Sequence, residues 1–136
     1  MICYILLASV LIQPFSTFFS SGTASLAECV TGAKYIQECV PEVLELKRKV
    51  WGEVDKLVGT ETILGTSTSC IGDFSFRSSL LLLMFAVPSK ISDFMEHKAQ
   101  FIVAHPCNPP YHTPMVELVP APWTSTEVSS LISQCF

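Results

Sequence analysis

Apolar positions in the middle of the chain change period in a way that separates strands from a helix. The run YIQECV at 35–40 is short, apolar-rich and followed by Pro41, which predicts a strand that passes at once into a helix. Pro41 suits a first helical turn and Glu42 the positive end of the helix dipole, while Val43, Leu46, Val50, Val54 and Leu57 recur at helical spacing on one face. Gly59 is expected to close that helix, and TILGTSTS at 62–69 reads as a second buried strand running into a Ser/Thr-rich turn. Strand, helix and strand in that order predict a parallel βαβ unit with a right-handed crossover, so the fold class is α/β.

Further along, FIVAHP at 101–106 and MVELVP at 115–120 read as two more strands joined by the Pro-rich NPPYHTP connection. From Thr124 a Ser or Thr cap is expected to start a last helix of about three turns. Residues 73–86, DFSFRSSLLLLMFA, break the pattern, with neither clean helical nor strand alternation. No internal repeat is present. The apolar stretch from Ile2 to Ile12 is followed by small residues but preceded by no basic one, which argues against a secretory leader and leaves a buried strand, or a stretch with no evolved role, as the plainer reading.

Composition narrows the function classes. A chain of 136 residues supports one domain with its own core. Net charge is −4 and its eight Lys and Arg form no basic run longer than the triplet Lys47–Lys49, so a nucleic-acid partner is not expected. Hydrophobic residues reach 49%, yet the two most apolar segments are shorter than the roughly 20 residues of a membrane span, so no membrane partner is expected. The six cysteines, at 3, 29, 39, 70, 107 and 135, include no CxxC pair and no metal-ligand cluster with His. They are read as reduced, mostly buried thiols in a cytoplasmic protein, and no metal is expected.

In an open parallel sheet ligands sit beyond the carboxyl ends of the strands, so Cys39–Glu42 and Ser67–Cys70 should face a binding crevice. His105 and Glu117 each end or begin a predicted strand, and a hairpin-like return between them would bring them together. Oxidation of a secondary alcohol needs a base for the hydroxyl proton, and a carboxylate behind an imidazole orients it and stabilises its charged form. Taken singly, the same residues have plainer readings. A lone His at a strand end is more often a structural hydrogen-bonding residue, and His97 and His112 read as surface residues. Ser69 lies in no GxSxG elbow, Lys47 reads as a solvated charge and Glu42 as a first-turn dipole partner.

Three ordered blocks, AKYIQECVPEVLELKRKV, TILGTSTSC and IVAHPCNPPYHTPMVELVP, resemble the 3-hydroxyacyl-CoA dehydrogenase superfamily over roughly 25–72 and 87–136, most closely its lambda-crystallin (L-gulonate 3-dehydrogenase) branch. The resemblance implies the later portion of a Rossmann-type NAD-binding domain, NAD as cofactor, and oxidation of the CH–OH group of a small hydroxy acid or a 3-hydroxyacyl substrate. By the same resemblance His105 matches the catalytic base and Glu117 its partner glutamate. Ser69 and Asn108 match residues that bind the substrate oxygen and help seat the nicotinamide, and Glu42 and Lys47 match residues near the cofactor. The form of HPCNPPYHTPMVELVP favours a sugar-acid-like substrate over an acyl thioester.

The chain also departs from that pattern. Its six glycines stand apart at 22, 32, 52, 59, 65 and 72, so no GxGxxG turn is present to approach a pyrophosphate. Residues 1–24 match nothing in the family, which leaves 25–136 as a partial NAD-binding domain with an apolar insertion at about 73–86 that reads as translated intron or a splice variant. The helical C-terminal domain, which in the family gives a further substrate asparagine and the homodimer contacts, is expected to be absent. An open sheet edge is expected where earlier strands would pair. The alternative to an oxidoreductase is therefore a catalytically inactive fragment or a binding module.

Overall fold

A computed structural model describes residues 5–6, 22–68, 88–109, 112–113 and 115–134. Among these described residues five strands form one sheet in chain order: β1 (Ile5–Leu6), β2 (Tyr35–Glu38), β3 (Ile63–Thr66), β4 (Phe101–Pro106) and β5 (Val116–Pro120). β2, β3 and β4 run parallel, while β1 and β5 flank them antiparallel. The helices are α1 (Leu26–Val30), α2 (Leu44–Val54) and α3 (Thr126–Ser133), and residues 88–92 are also helical. The α/β class, the βαβ order and the four expected strands are all present.

Helices cover both faces of the sheet, which is why its strands read as near-continuous apolar runs. On one face Ile36, Leu64 and Phe101 pack with Val30, Trp51, Val54, Ile91 and Met95. The Trp51 and Phe101 rings meet edge to face, with centroids 5.2 Å apart. On the other face Tyr35 and Ile102 pack with Val128 and Ile132 of α3. Ser25 and Ser125 cap α1 and α3 by accepting the backbone N–H of Glu28 and Val128, the second close to the helix start expected near Thr124.

The main helix differs from its expected form in three ways. It begins at Leu44 rather than at Pro41, because the Val43 amide donates to the Pro41 carbonyl at 2.7 Å in a tight turn and Val43 is itself extended as the N-cap. Its buried face runs through Lys47, Trp51 and Val54, with Val43 and Leu57 exposed. It ends at an Asp55 C-cap, and Gly59 lies beyond it in an ordinary turn. The rotation of the face follows from Lys47: a lysine that finds a buried carboxylate can occupy a core position that the periodicity assigns to an apolar residue.

Helix α1 had no assigned element in the sequence pattern, whereas a buried strand was one reading of the N-terminal apolar stretch that holds β1. Ile5 and Leu6 pair with Glu38 and Gln37, so the edge of β2 that was expected to be open is partly covered. Residues 73–86 lie outside the described residues.

Candidate active site

Because β2, β3 and β4 are parallel, Glu38, Thr66 and Pro106 all end at one edge of the sheet, and β5 begins there. The register sets Glu38 beside Thr66, Thr66 beside Val103, and Val103 beside Val119 in one row across the sheet. One pleat further along, His105 stands directly opposite Glu117. Side chains alternate faces with period two, so His105 and Glu117 share the face of Glu38 and Thr66. Directly opposed residues bring their Cβ atoms to about 5 Å, within reach of an imidazole and a carboxylate. His105 is half-buried and Glu117 exposed, and the pair sits at the carboxyl end of the parallel strands.

Behind that rim lies a buried ionic cluster. Lys47 is 0% exposed and Glu38 1%. The Lys47 ammonium donates to both Glu38 oxygens at 2.9 and 3.2 Å and to the Val40 carbonyl at 3.1 Å, and pairs with Glu42 Oε1 at 3.1 Å. Glu38 also accepts from the Val40 amide at 2.6 Å and from the Thr66 hydroxyl at 2.6 Å. Thr68 donates its hydroxyl to Glu42 Oε2, and its amide donates to Thr66 Oγ1 at 3.3 Å. Removing an ion from water costs several kcal/mol, and here every proton of the ammonium has an acceptor. Lys47 is therefore not the solvated charge of the plainer reading. Its three N–H bonds serve four acceptors, so it acts on the crevice only through Glu42.

On the opposite face Gln37 ties the same strand ends together. Its amide nitrogen donates to Ser67 Oγ at 2.5 Å and to the Ala104 carbonyl at 3.0 Å, and its oxygen accepts from the Tyr35 hydroxyl. Cys39 is exposed beside Ser67, with Sγ 3.2 Å from Oγ, contrary to the expected burial of the thiols. Cys29 and Cys107 are half-buried and, like Cys39, unbridged.

A family model described as the NAD-binding domain of 3-hydroxyacyl-CoA dehydrogenase matches residues 18–80 and 84–136. The chain belongs to the 3-hydroxyacyl-CoA dehydrogenase family. Within it the chain is 47% identical over 105 residues to the lambda-crystallin homolog of Rattus norvegicus, covering 77% of this chain and 28% of that protein. It is 36% identical over 114 residues to the L-carnitine dehydrogenase of Staphylococcus epidermidis, covering 84% of this chain and 31% of that one. The fold superposes on 3-hydroxybutyryl-CoA dehydrogenase of Escherichia coli with a TM-score of 0.67 and 20% identity, over 82% of this chain and 20% of the other. The chain thus spans less than a third of the length of these relatives.

NAD is the cofactor of this family's domain. The donor set at the sheet edge suits the ribose and ring end of a dinucleotide better than its phosphates. Glu42, 41% exposed, offers carboxylate lone pairs to hydroxyl donors, while Lys47 has no proton left for an anion. Asn108 is exposed in the turn that follows His105, where Cys107 N donates to the Met115 carbonyl at 3.0 Å. Ser69 lies outside the described residues. His97 is set apart from the crevice and only 17% exposed, bonded through Nδ1 to Asp55 at 3.1 Å, so it is a structural residue rather than a surface one. His112 is exposed.

Sequence reasoning missed Glu38, Gln37 and Thr66. A signal for the first two was present: adjacent polar residues at the end of a strand covered on both faces must each be satisfied by a specific partner.

Proposed function

We propose that this chain carries the catalytic half of an NAD-dependent oxidoreductase domain acting on the CH–OH group of a small hydroxy acid, L-gulonate-like in class, with a 3-hydroxyacyl compound as the other substrate type. The observation that carries the reading is the cross-strand register of His105 with Glu117 at the carboxyl edge of the parallel strands. Bound NAD supplies the hydride acceptor. His105 takes the hydroxyl proton on a ring nitrogen as the carbon becomes a carbonyl, and Glu117 orients the ring and stabilises its charged form. Ser69 and Asn108 hold the substrate oxygen, and Glu42, backed by Lys47, faces the cofactor. The closeness to the lambda-crystallin homolog and to L-carnitine dehydrogenase supports a small hydroxy acid over an acyl thioester.

A second reading is favoured by one observation. The glycines of this sequence stand apart, with no Gly-rich turn to anchor a pyrophosphate, which favours a catalytically inactive fragment or a binding module. Calorimetric titration of the chain with NAD+, followed by L-gulonate-dependent NADH formation, separates the two. Cofactor uptake with turnover lost on His105→Ala supports the oxidoreductase. Uptake without turnover supports the binding module, and no heat at millimolar NAD+ removes the oxidoreductase and leaves the catalytically inactive fragment.

A further inference from the structure

Glu38 reaches both oxygens of Glu42 by separate routes. Through the Lys47 ammonium it connects to Oε1, and through the Thr66 hydroxyl and the Thr68 amide and hydroxyl it connects to Oε2. Glu38, Lys47, Glu42, Thr68 and Thr66 therefore close a ring that spans the ends of β2 and β3 and the second turn of α2. Only Glu42 in that ring is substantially open, at 41% against 1% for Glu38 and 0% for Lys47.

We propose that Glu38 is a positioning residue for the crevice, holding Glu42 in the orientation in which it meets the bound cofactor. The proposal rests on the reading of the crevice as an NAD site. Two carboxylates share one ammonium, and Glu38 takes the larger share, with two oxygens bonded against one from Glu42. Glu42 is thereby anchored without being neutralised. A carboxylate has about four acceptor positions, and Lys47 and Thr68 occupy one on each oxygen of Glu42, so one on each oxygen stays available to hydroxyl donors from the crevice. Without the Glu38 charge the ammonium turns wholly to Glu42. The exposed carboxylate is then drawn inward and its charge quenched.

A plain structural role for Glu38 would lower stability and leave the affinity of the folded chain unchanged, so the test reads affinity in two backgrounds. NAD+ dissociation constants are measured calorimetrically on the full chain for the unmodified protein, Glu38→Gln, Glu42→Gln and the double variant, with the folded fraction of each set by thermal melting. Glu38→Gln is expected to weaken binding about tenfold, the scale of one charge-assisted hydrogen bond, and to cause no further loss once Glu42 is Gln. Equal losses in both backgrounds, or an unchanged constant for Glu38→Gln, overturn the proposal. Should Glu38→Gln not fold, Thr66→Val opens the same ring while keeping its shape, and the same two outcomes apply. An unmodified chain that takes up no NAD+ removes the reading of the crevice, and the role of Glu38 with it, whereas binding with additive losses removes the positioning role alone.

Discussion

His105 stands directly across the β4–β5 ladder from Glu117, one pleat beyond the row that contains Glu38 and Thr66. The antiparallel return of β5 creates this relationship: a parallel β5 would carry Glu117 to the far end of the sheet. The pair therefore depends on the hairpin between residues 107 and 115, where the Cys107 amide meets the Met115 carbonyl at 3.0 Å.

From that placement His105→Ala should lower turnover of a small hydroxy acid by about a hundredfold or more, the contribution expected of a positioned general base. Glu117→Gln should cost less, because the amide still orients the ring and loses only the stabilisation of its charge. Steady-state NADH formation measures both. A variant of His105 that retains full turnover would remove the proposed base.

The Lys47–Glu38 pair makes a sharper stability prediction. Lys47→Met leaves the Glu38 carboxylate 1% exposed without its ammonium and should destabilise the chain by about 3–5 kcal/mol, a large part of what a domain possesses. Glu38→Gln combined with Lys47→Met should cost clearly less than the sum of the two single changes, since no charge is then left unmatched between them. Urea unfolding of the three variants provides the comparison, and simple additivity would show that the two groups do not depend on each other.

The strands and the His105–Glu117 pair were legible because both depend on local pattern. FIVAHP occupies β4 to the residue, and the Pro-rich connection between two short strands foretold a return. The face of α2 was not legible, since periodicity counts Lys47 as polar and has no means of knowing that Glu38, nine residues earlier, awaits it. The ring around Glu42 was hidden for the same reason: its members come from two strands, the two loops that follow them and a helix, and only the parallel register of β2 with β3 brings them together. A buried ionic cluster is a tertiary fact. The polar doublet Gln37–Glu38 was its one trace in the sequence.

Gly65 tests the other face of the sheet. A Cβ there would lie 2.4 Å from the Tyr35 hydroxyl oxygen and 2.8 Å from Gln37 Oε1, so the ring of Tyr35 lies across the glycine on the neighbouring strand. Gly65→Ala should therefore destabilise by about 1–3 kcal/mol through overpacking, despite the better strand propensity of alanine. Shrinking the neighbour should relieve it: Tyr35→Phe, which removes the clashing oxygen, is expected to recover part of the loss in the double variant. Thermal melting of both chains decides the matter, and a Gly65→Ala chain as stable as the parent would contradict the contact.

Asp55 joins the end of α2 to the approach of β4. Its carboxylate accepts from the Glu96 amide at 2.7 Å, the His97 amide at 3.0 Å and His97 Nδ1 at 3.1 Å, at 12% exposure. Removing it leaves two backbone N–H groups and a ring nitrogen without their acceptor, so Asp55→Ala should cost about 2 kcal/mol. Asp55→Asn keeps one acceptor oxygen and should cost roughly half as much. Because the 3-10 turn Lys98–Gln100 separates this junction from β4, loosening it frees the segment before Phe101 rather than the sheet, and amide exchange at residues 96 and 97 should accelerate well before exchange at Ile102 and Val103. Uniform acceleration across β4 would instead mean that the Asp55 contacts stabilise the whole domain rather than this one junction.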